Sequence, residues 1–291
     1  MQCLPPHVVR VDDIVIRHLS SGRYGLAAQP TEYHRPHLCL ALLMINGQLL
    51  LEDEHRNKLE LLDTSNVVIS PWRRYALTLS GSLLSVKFPS YRLNACSLIP
   101  LWSHQLSDEQ SYLLDTMLRE MVTNNTSLES DAQRFVANAL STMVALPERD
   151  ERRHDLMGNE DPNISLRAEI ARTMRDRMHE PHLRAEDVTG NLNISRAQLY
   201  RVMSPYGGFK TCLQALRLDG VARRLKSPTD DPLSIKAILF QNGFSTTEQF
   251  QRLFYKRFKV SARDFRRGTP PEPGTFGGFH AGSPCLSPAT R

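Results

Sequence analysis

The sequence predicts an α+β chain of two domains: an antiparallel β-sandwich with two helices after it, then an all-α domain. Three observations carry this. The apolar residues recur with a period near two up to residue 92 and near 3.6 beyond Pro100, and the charge balance changes sign across residues 147–164. With 291 residues the chain is long enough for two cores, and its 41% hydrophobic and 23% charged content is ordinary for globular domains.

The first domain spans residues 1–146, with its β-rich part at 8–92. There the chain runs as short apolar stretches (VVRV, DIVIRHL, LCLALLMI, QLLLED), and Asn46-Gly47 between the last two reads as a hairpin turn because both residues tolerate positive φ. Further strands are expected at 58–62, 66–70, 75–80 and 83–88, with Gly81 turning the last pair, which together suit a sandwich or small barrel. Residues 107–146 read as a helical hairpin. Ser107 and Gln110 cap its first helix, whose stripe is Leu113, Leu114, Met117, Leu118 and Met121; Thr126 and Glu129 cap the second, striped by Phe135, Val136, Ala139, Leu140, Met143 and Val144. These stripes pack on the β-domain, form a dimer interface, or do both.

Residues 147–164 (PERDERRHDLMGNEDPNI) read as a charged linker bracketed by prolines, and the Gly/Pro-rich tail, 268–291, reads as disordered. Residues 1–164 hold 15 Lys/Arg against 20 Asp/Glu, whereas 165–267 hold 20 against 10, so a net −5 half precedes a net +10 half. A polyanion is the expected partner of the second half. Nucleic acid is favoured over an anionic membrane, because no lipid anchor or basic surface helix accompanies the charge. Cys3, Cys39, Cys96, Cys212 and Cys285 are odd in number, widely spaced and never paired as C-x-x-C, so neither a disulfide frame nor a zinc site is expected. The N-terminus lacks a signal-peptide pattern, and the longest apolar run, 38–45, is far short of the ~18 residues of a membrane span. The expected location is the cytoplasm.

Within 165–267 one architectural unit occurs twice. In the first, residues 184–204, Val188 and Leu192 give a short one-sided helix, Asn193 suits a left-handed turn, and Ser195 caps a second helix. Leu199, Val202 and Met203 face inward there. Arg196, Ala197, Tyr200 and Arg201 are left outward near the N-terminal end, the part of a recognition helix that enters the major groove. In the second unit, residues 234–258, Ile235 and Ile238 anchor one helix, Gly243 breaks it, and Ser245 with Glu248 caps the next. Phe250, Leu253, Phe254 and Phe258 form its buried face. Thr247, Glu248, Gln251 and Arg252 are outward; Gln and Arg suit adenine and guanine edges, while Lys256 and Arg257, further along, suit phosphates. Residues 209–225 read as one connecting helix about 26 Å long.

These residues give the resemblance its basis. Residues 166–267 resemble the DNA-binding domain of the AraC/XylS family of bacterial transcription regulators, through Ser195, Leu199 and Arg201, then Arg217-Leu218, Ala222 and Leu225, then Ile235, Ile238 and Gly243-Phe244-Ser245, and finally Phe250, Arg252, Phe254, Phe258, Ser261 and Phe265-Arg266. The resemblance implies that the outward residues of both second helices read bases. It also implies an effector-responsive regulator, more often an activator, acting on double-stranded promoter DNA as a homodimer, with RNA polymerase as a candidate partner. Four positions depart from the pattern: Leu239 stands where a small residue is expected, Lys259 for Gly, Ala262 for Pro and Phe265 for Tyr. Leu239 is expected to shift the packing of the second unit, so that the two units are not equivalent. More loosely, the segment VVISPWRRY and the VKFPSYRL stretch are similar to the sensing and dimerisation domain of part of the family, which implies a cupin-like sandwich with an effector of unknown identity.

Each sharper reading has a plainer counterpart. Arg196 and Arg201 could be surface charge, although the motif around them favours DNA contact. Glu248 either completes the cap with Ser245, the favoured role, or accepts from a cytosine amino group. Trp72, Arg73, Arg74 and Tyr75 either line an effector pocket or form an exposed turn. His34 and His37, in H-R-P-H, have the wrong spacing for two ligands on one strand and lack further ligands, so neither a metal nor another cofactor is expected. No Ser-His-Asp set, phosphate loop or dinucleotide fingerprint occurs, and no enzyme is expected. The remaining alternatives are a regulator controlled by a protein partner and a cupin-type metalloenzyme carrying an accessory DNA-binding domain.

Overall fold

The computed structural model describes residues 8–26, 38–53, 58–62, 66–69, 75–89, 91–92, 104–105, 108–123, 129–144, 164–204, 207–227 and 233–268. Among them, seven strands form one antiparallel sheet: β1 (Val8–Val11), β2 (Ile14–Leu26), β3 (Leu38–Asp53), β4 (Lys58–Leu61), β5 (Asn66–Ile69), β6 (Tyr75–Pro89) and β7 (His104–Gln105). The order is β1-β2-β6-β3-β5-β7, with β4 also paired to β3. Two helices follow, α1 (Asp108–Thr123) and α2 (Ser130–Val144), and then a helical domain.

The two expected turns are not turns. Asn46-Gly47 lies in the middle of β3 and Gly81 in the middle of β6, and the glycines face each other across the ladder. Both have positive φ (+91° and +126°), and a β-carbon on either would run into the opposing backbone. A shift of register between Met44 and Asn46 adds a bulge at the same level. The same permissiveness that makes Asn-Gly a turn signal here lets two long strands come together at an irregularity without breaking their pairing.

This sheet buries two clusters. Ala41, Leu43, Leu84, Val86 and Phe88 join Ile14 and Ile16 against α1 and α2, while Leu42, Met44, Leu83, Leu49, Leu51, Leu77 and Leu79 form a separate core with Val67 and Leu61. Alternate side chains of 41–44 thus enter different cores, which is why that strand reads as an unbroken apolar run. Leu114, Leu118, Met121 and Val122 of α1 and Ala137, Leu140 and Val144 of α2 supply the helical side of the first core. The helical stripes are narrower than the sequence suggests, since Leu113 (52%) and Phe135 (70%) are exposed instead of buried.

Among the described residues, one buried residue of the sheet is charged. Lys87 is almost fully enclosed, and burial, with the like charge of Arg17 adding to it, pulls its pKa down to about 7. Between about pH 7 and the ordinary lysine value near 10.4 the unfolded chain binds the proton that the folded chain lacks, so stability rises with pH through that window. The penalty is fully present below pH 7. Lys87→Met is therefore expected to stabilise the protein most at pH 6–7, with the gain shrinking towards pH 10; urea denaturation across that range checks it, and a pH-independent difference would refute it.

Candidate nucleic-acid interface

The first unit of the C-terminal domain consists of α3 (Ile164–Arg177), α4 (Ala185–Leu192) and α5 (Arg196–Met203). Ile170, Ala171, Met174, Val188, Leu199, Val202 and Met203 close its core. Asn193 ends α4 in the left-handed conformation (φ 52°), and the Ser195 hydroxyl accepts from the Gln198 N–H at 3.1 Å to start α5. Helix, turn and helix thus form for the reasons legible in the sequence. Arg196, Ala197, Tyr200 and Arg201 are all exposed along α5. Arg196 is paired with Glu186 of α4; with both side chains about half exposed, that ion pair adds little stability and can be exchanged for another anion.

The second unit consists of α7 (Ile235–Gln241), α8 (Thr247–Phe258) and the short α9 (Ala262–Arg266), joined to the first by α6 (Gly208–Lys226). At 19 residues, α6 is about 28 Å long. Phe244, Phe250, Phe254, Phe258 and Phe265 make an aromatic core with Leu218, Val221, Ala222, Leu225, Ile238 and Leu239. The rings meet edge-on or tilted at 4.4–5.4 Å, the geometry aromatic quadrupoles prefer. Leu239, the bulky departure, is absorbed into this core at 1% exposure.

The cap of α8 falls one residue later than expected. Thr246, not Ser245, is the N-cap, its hydroxyl accepting from the Gln249 N–H at 3.3 Å. A cap needs extended backbone one step before the first helical residue, and the chain reaches that conformation at Thr246 (φ −140°, ψ 150°). The Ser245–Glu248 capping box is therefore absent, and Glu248 is an exposed first-turn acid. Gln251, Arg252, Tyr255 and Lys256 are also exposed, while Thr247 is half-buried.

Arg257 is a correction. Instead of meeting phosphates it is buried, at 2% exposure, and grips Asp219 of α6 through hydrogen bonds of 2.7, 3.0 and 3.1 Å. The signal was available: Arg257 sits between Phe254 and Phe258 on the buried side of α8, and Asp219 is the one acidic residue of α6.

The two units are held in fixed relation at one junction. Arg217 of α6 donates to the carbonyls of Met178 (2.8 Å) and Glu180 (2.5 Å), which follow α3. Gly243, in the α7–α8 turn (φ +79°), lies directly against the Met178 carbonyl and the Arg217 guanidinium. A side chain at 243 would suffer both an unfavourable backbone conformation and the loss of this contact. Gly243→Ala is expected to cost about 1–3 kcal/mol in urea unfolding; a change below a few tenths would remove the junction from the argument.

The remaining departures are tolerated locally. Lys259 ends α8 in the left-handed conformation (φ 59°), and Ala262 is the first residue of α9, capped by Ser261, which accepts from the Asp264 N–H at 3.1 Å. Trp72, Arg73, Arg74, His34 and His37 lie outside the described residues, and Tyr75 is the first residue of β6. Among the described residues no group of three or more His, Cys, Asp or Glu could hold a metal, and no helix is long and apolar enough to cross a membrane.

What the arrangement offers is two short capped helices, α5 and α8, with outward polar and basic faces on one rigid helical frame. Residues 189–268 match the family of helix-turn-helix domains. Similar solved structures include ToxT from Vibrio cholerae O395, at 14% identity over 88% of this chain and 97% of that one with a TM-score of 0.41. The AraC-like transcriptional activator CuxR is similar at 17% identity over 80% and 83%, with a TM-score of 0.41. The C-terminal domain of AraT, a response regulator from Geobacillus stearothermophilus, matches at 26% identity over 40% of this chain and 93% of that one, with a TM-score of 0.32.

Proposed function

We infer that this chain, whose residues 189–268 match a helix-turn-helix domain, is a DNA-binding transcription regulator and an effector-responsive activator reading promoter DNA with α5 and α8. The observation carrying this is the pair of capped helices with exposed Arg196, Ala197, Tyr200 and Arg201 on one and Glu248, Gln251, Arg252 and Lys256 on the other. Thr247, half-buried at the start of α8, is at the edge of the second face. Arg201 and Arg252 suit guanine edges and Gln251 suits adenine, whereas Lys256, a turn further from the N-terminus of α8, suits a phosphate. Glu248, free of a capping role, suits a cytosine amino group.

The N-terminal domain, with cores of its own, serves in this reading as a cupin-like sensing and dimerisation domain. Tyr112, Leu113 and Phe135, exposed on the helical hairpin, support a homodimer through that face. The effector acts by changing how this domain holds the DNA-binding domain. RNA polymerase is the partner an activator requires, and no catalytic step is needed. Footprinting at physiological salt is the test: a discrete protected site that survives competitor DNA is expected, and protection spread over random sequence would reject sequence-specific reading. Thermal shifts with small organic acids, amines and sugars test the effector, since a ligand of the folded state raises its melting temperature.

A further inference from the structure

The N-terminal domain ends its last long strand at Pro89, and two residues later the ring of Tyr91 enters the helical domain. Its ring has no exposure and belongs to the aromatic core of the second helix-turn-helix unit, edge-on to Phe258 (5.7 Å) and Phe265 (5.4 Å). Around it is a buried polar joint. The Tyr91 hydroxyl donates to Asp13, Arg92 is paired with both Asp12 and Asp13, and Arg92 also donates to Asn138 of α2 at 2.8 Å. Asp12, in the β1–β2 turn, takes its backbone N–H to Gln133 of α2 at 3.1 Å. From the other side, Lys226 at the end of α6 reaches Asp12 at 2.9 Å while lying over the Phe265 ring (5.3 Å), and the Arg223 guanidinium donates to the Tyr91 carbonyl at 3.1 Å.

We propose that Tyr91 is an interdomain plug that completes the core of the second helix-turn-helix unit, so that the N-terminal domain controls DNA reading by α8 through that core and not by covering the DNA. Two features fix the sense of this control. With Tyr91 in place, Gln251, Arg252, Tyr255 and Lys256 of α8 remain exposed, so docking does not occlude the recognition face. Phe258 and Phe265, the rings it touches, end α8 and centre α9 and have no exposure while Tyr91 is present. Withdrawing the plug opens a cavity at the end of α8, and the local order of α8 and α9 falls. The first unit has its own core, which contains no residue of the N-terminal domain among the described residues. A movement of α2, which bonds to the joint through Gln133 and Asn138, is thereby felt by α8 before α5.

The proposal rests on α8 reading DNA, and its test separates the two ideas. Hydrogen exchange on the full chain compares the parent with Tyr91→Ala and with Lys226→Met, the latter cutting the joint from the helical side and leaving the β-domain untouched. Both are expected to speed exchange in 247–266, Tyr91→Ala by tenfold or more and Lys226→Met by less, with 185–203 unchanged. On a DNA site carrying both recognised segments, Tyr91→Ala is expected to weaken binding about tenfold, and Gln251→Ala to add little in that background. Unchanged exchange in 247–266 for both variants overturns the plug, as does tighter DNA binding by Tyr91→Ala, which would make the contact an occluding one. If the parent itself shows no specific DNA binding, the exchange result still decides the plug while the DNA-reading assignment falls.

Discussion

Replacing Asp219 with alanine is expected to destabilise the C-terminal domain by about 3–5 kcal/mol, because it removes the carboxylate that compensates the buried charge of the Arg257 guanidinium. Both partners are nearly inaccessible (2% and 5% of side-chain surface), and three hydrogen bonds join them. Arg257 also lies over the Phe258 ring at 5.7 Å, so its charge is fixed within the aromatic core. Asp219→Asn keeps an acceptor and is expected to lose less. The double variant Asp219→Leu with Arg257→Met removes both charges and is expected to recover most of the stability, since a buried pair contributes little net energy compared with apolar residues of similar size. Urea denaturation of the four proteins checks this. If Asp219→Ala and the double variant are equally unstable, packing and not the loss of the compensating charge is responsible.

The pair also bears on DNA reading. Asp219 lies mid-way along α6 and Arg257 one position before the end of α8, so the bond ties α8 to the helix that joins the two units. The double variant is expected to fold yet lose part of its preference among DNA sequences, because an apolar contact fixes the axial position of α8 less sharply than a bidentate one.

Arg201→Ala is expected to reduce specific DNA affinity by about 1–3 kcal/mol, roughly 5- to 150-fold, and more than Gln251→Ala does. Both residues are exposed, Arg201 on α5 and Gln251 on α8, so the difference lies in what supports each helix. The first unit carries an ordinary serine cap and a left-handed asparagine, a residue that adopts this conformation at little cost. The second ends α8 on left-handed Lys259 and borrows Tyr91 from another domain to fill its core. A helix held with such strain and such dependence has more freedom to adjust when one contact is removed. Binding isotherms at a fixed, stated salt concentration are required, since phosphate contacts alone would change with ionic strength. Equal losses from the two variants would count against the asymmetry.

Local signals in the sequence survived where the chain obeys local rules. The helix ends at Asn193, Ser195 and Gly243 are set by backbone requirements within a few residues, and each appears where its residue type indicates. Leu239 showed the limit of that reasoning. Its size suggested a disturbed packing; the residue is buried within the aromatic core, and volume in a core is a sum over many elements that no single position reveals. Asn46-Gly47 and Gly81 failed for a related reason: positive φ is required both by hairpin turns and by close strand crossings, and sequence alone does not separate the two. Leu113 and Phe135 obey helical spacing but lie at the edge of the stripe, where the width of the contact decides burial. Tyr91 was beyond reach, because the rings it packs against, Phe258 and Phe265, are more than 160 residues away and in a different domain.

If α5 and α8, joined by a helix about 28 Å long, both read bases as proposed, they are expected to meet successive major grooves, which lie about 34 Å, or 10–10.5 base pairs, apart on one face of the duplex. Selection from a randomised duplex library with the full chain at physiological salt tests this most directly. The expected result is a motif in two segments with that spacing, in which Arg201→Ala relaxes one segment and Gln251→Ala the other. Enrichment of no motif at all, or of a motif whose two segments are both unaffected by these substitutions, would contradict DNA reading by α5 and α8.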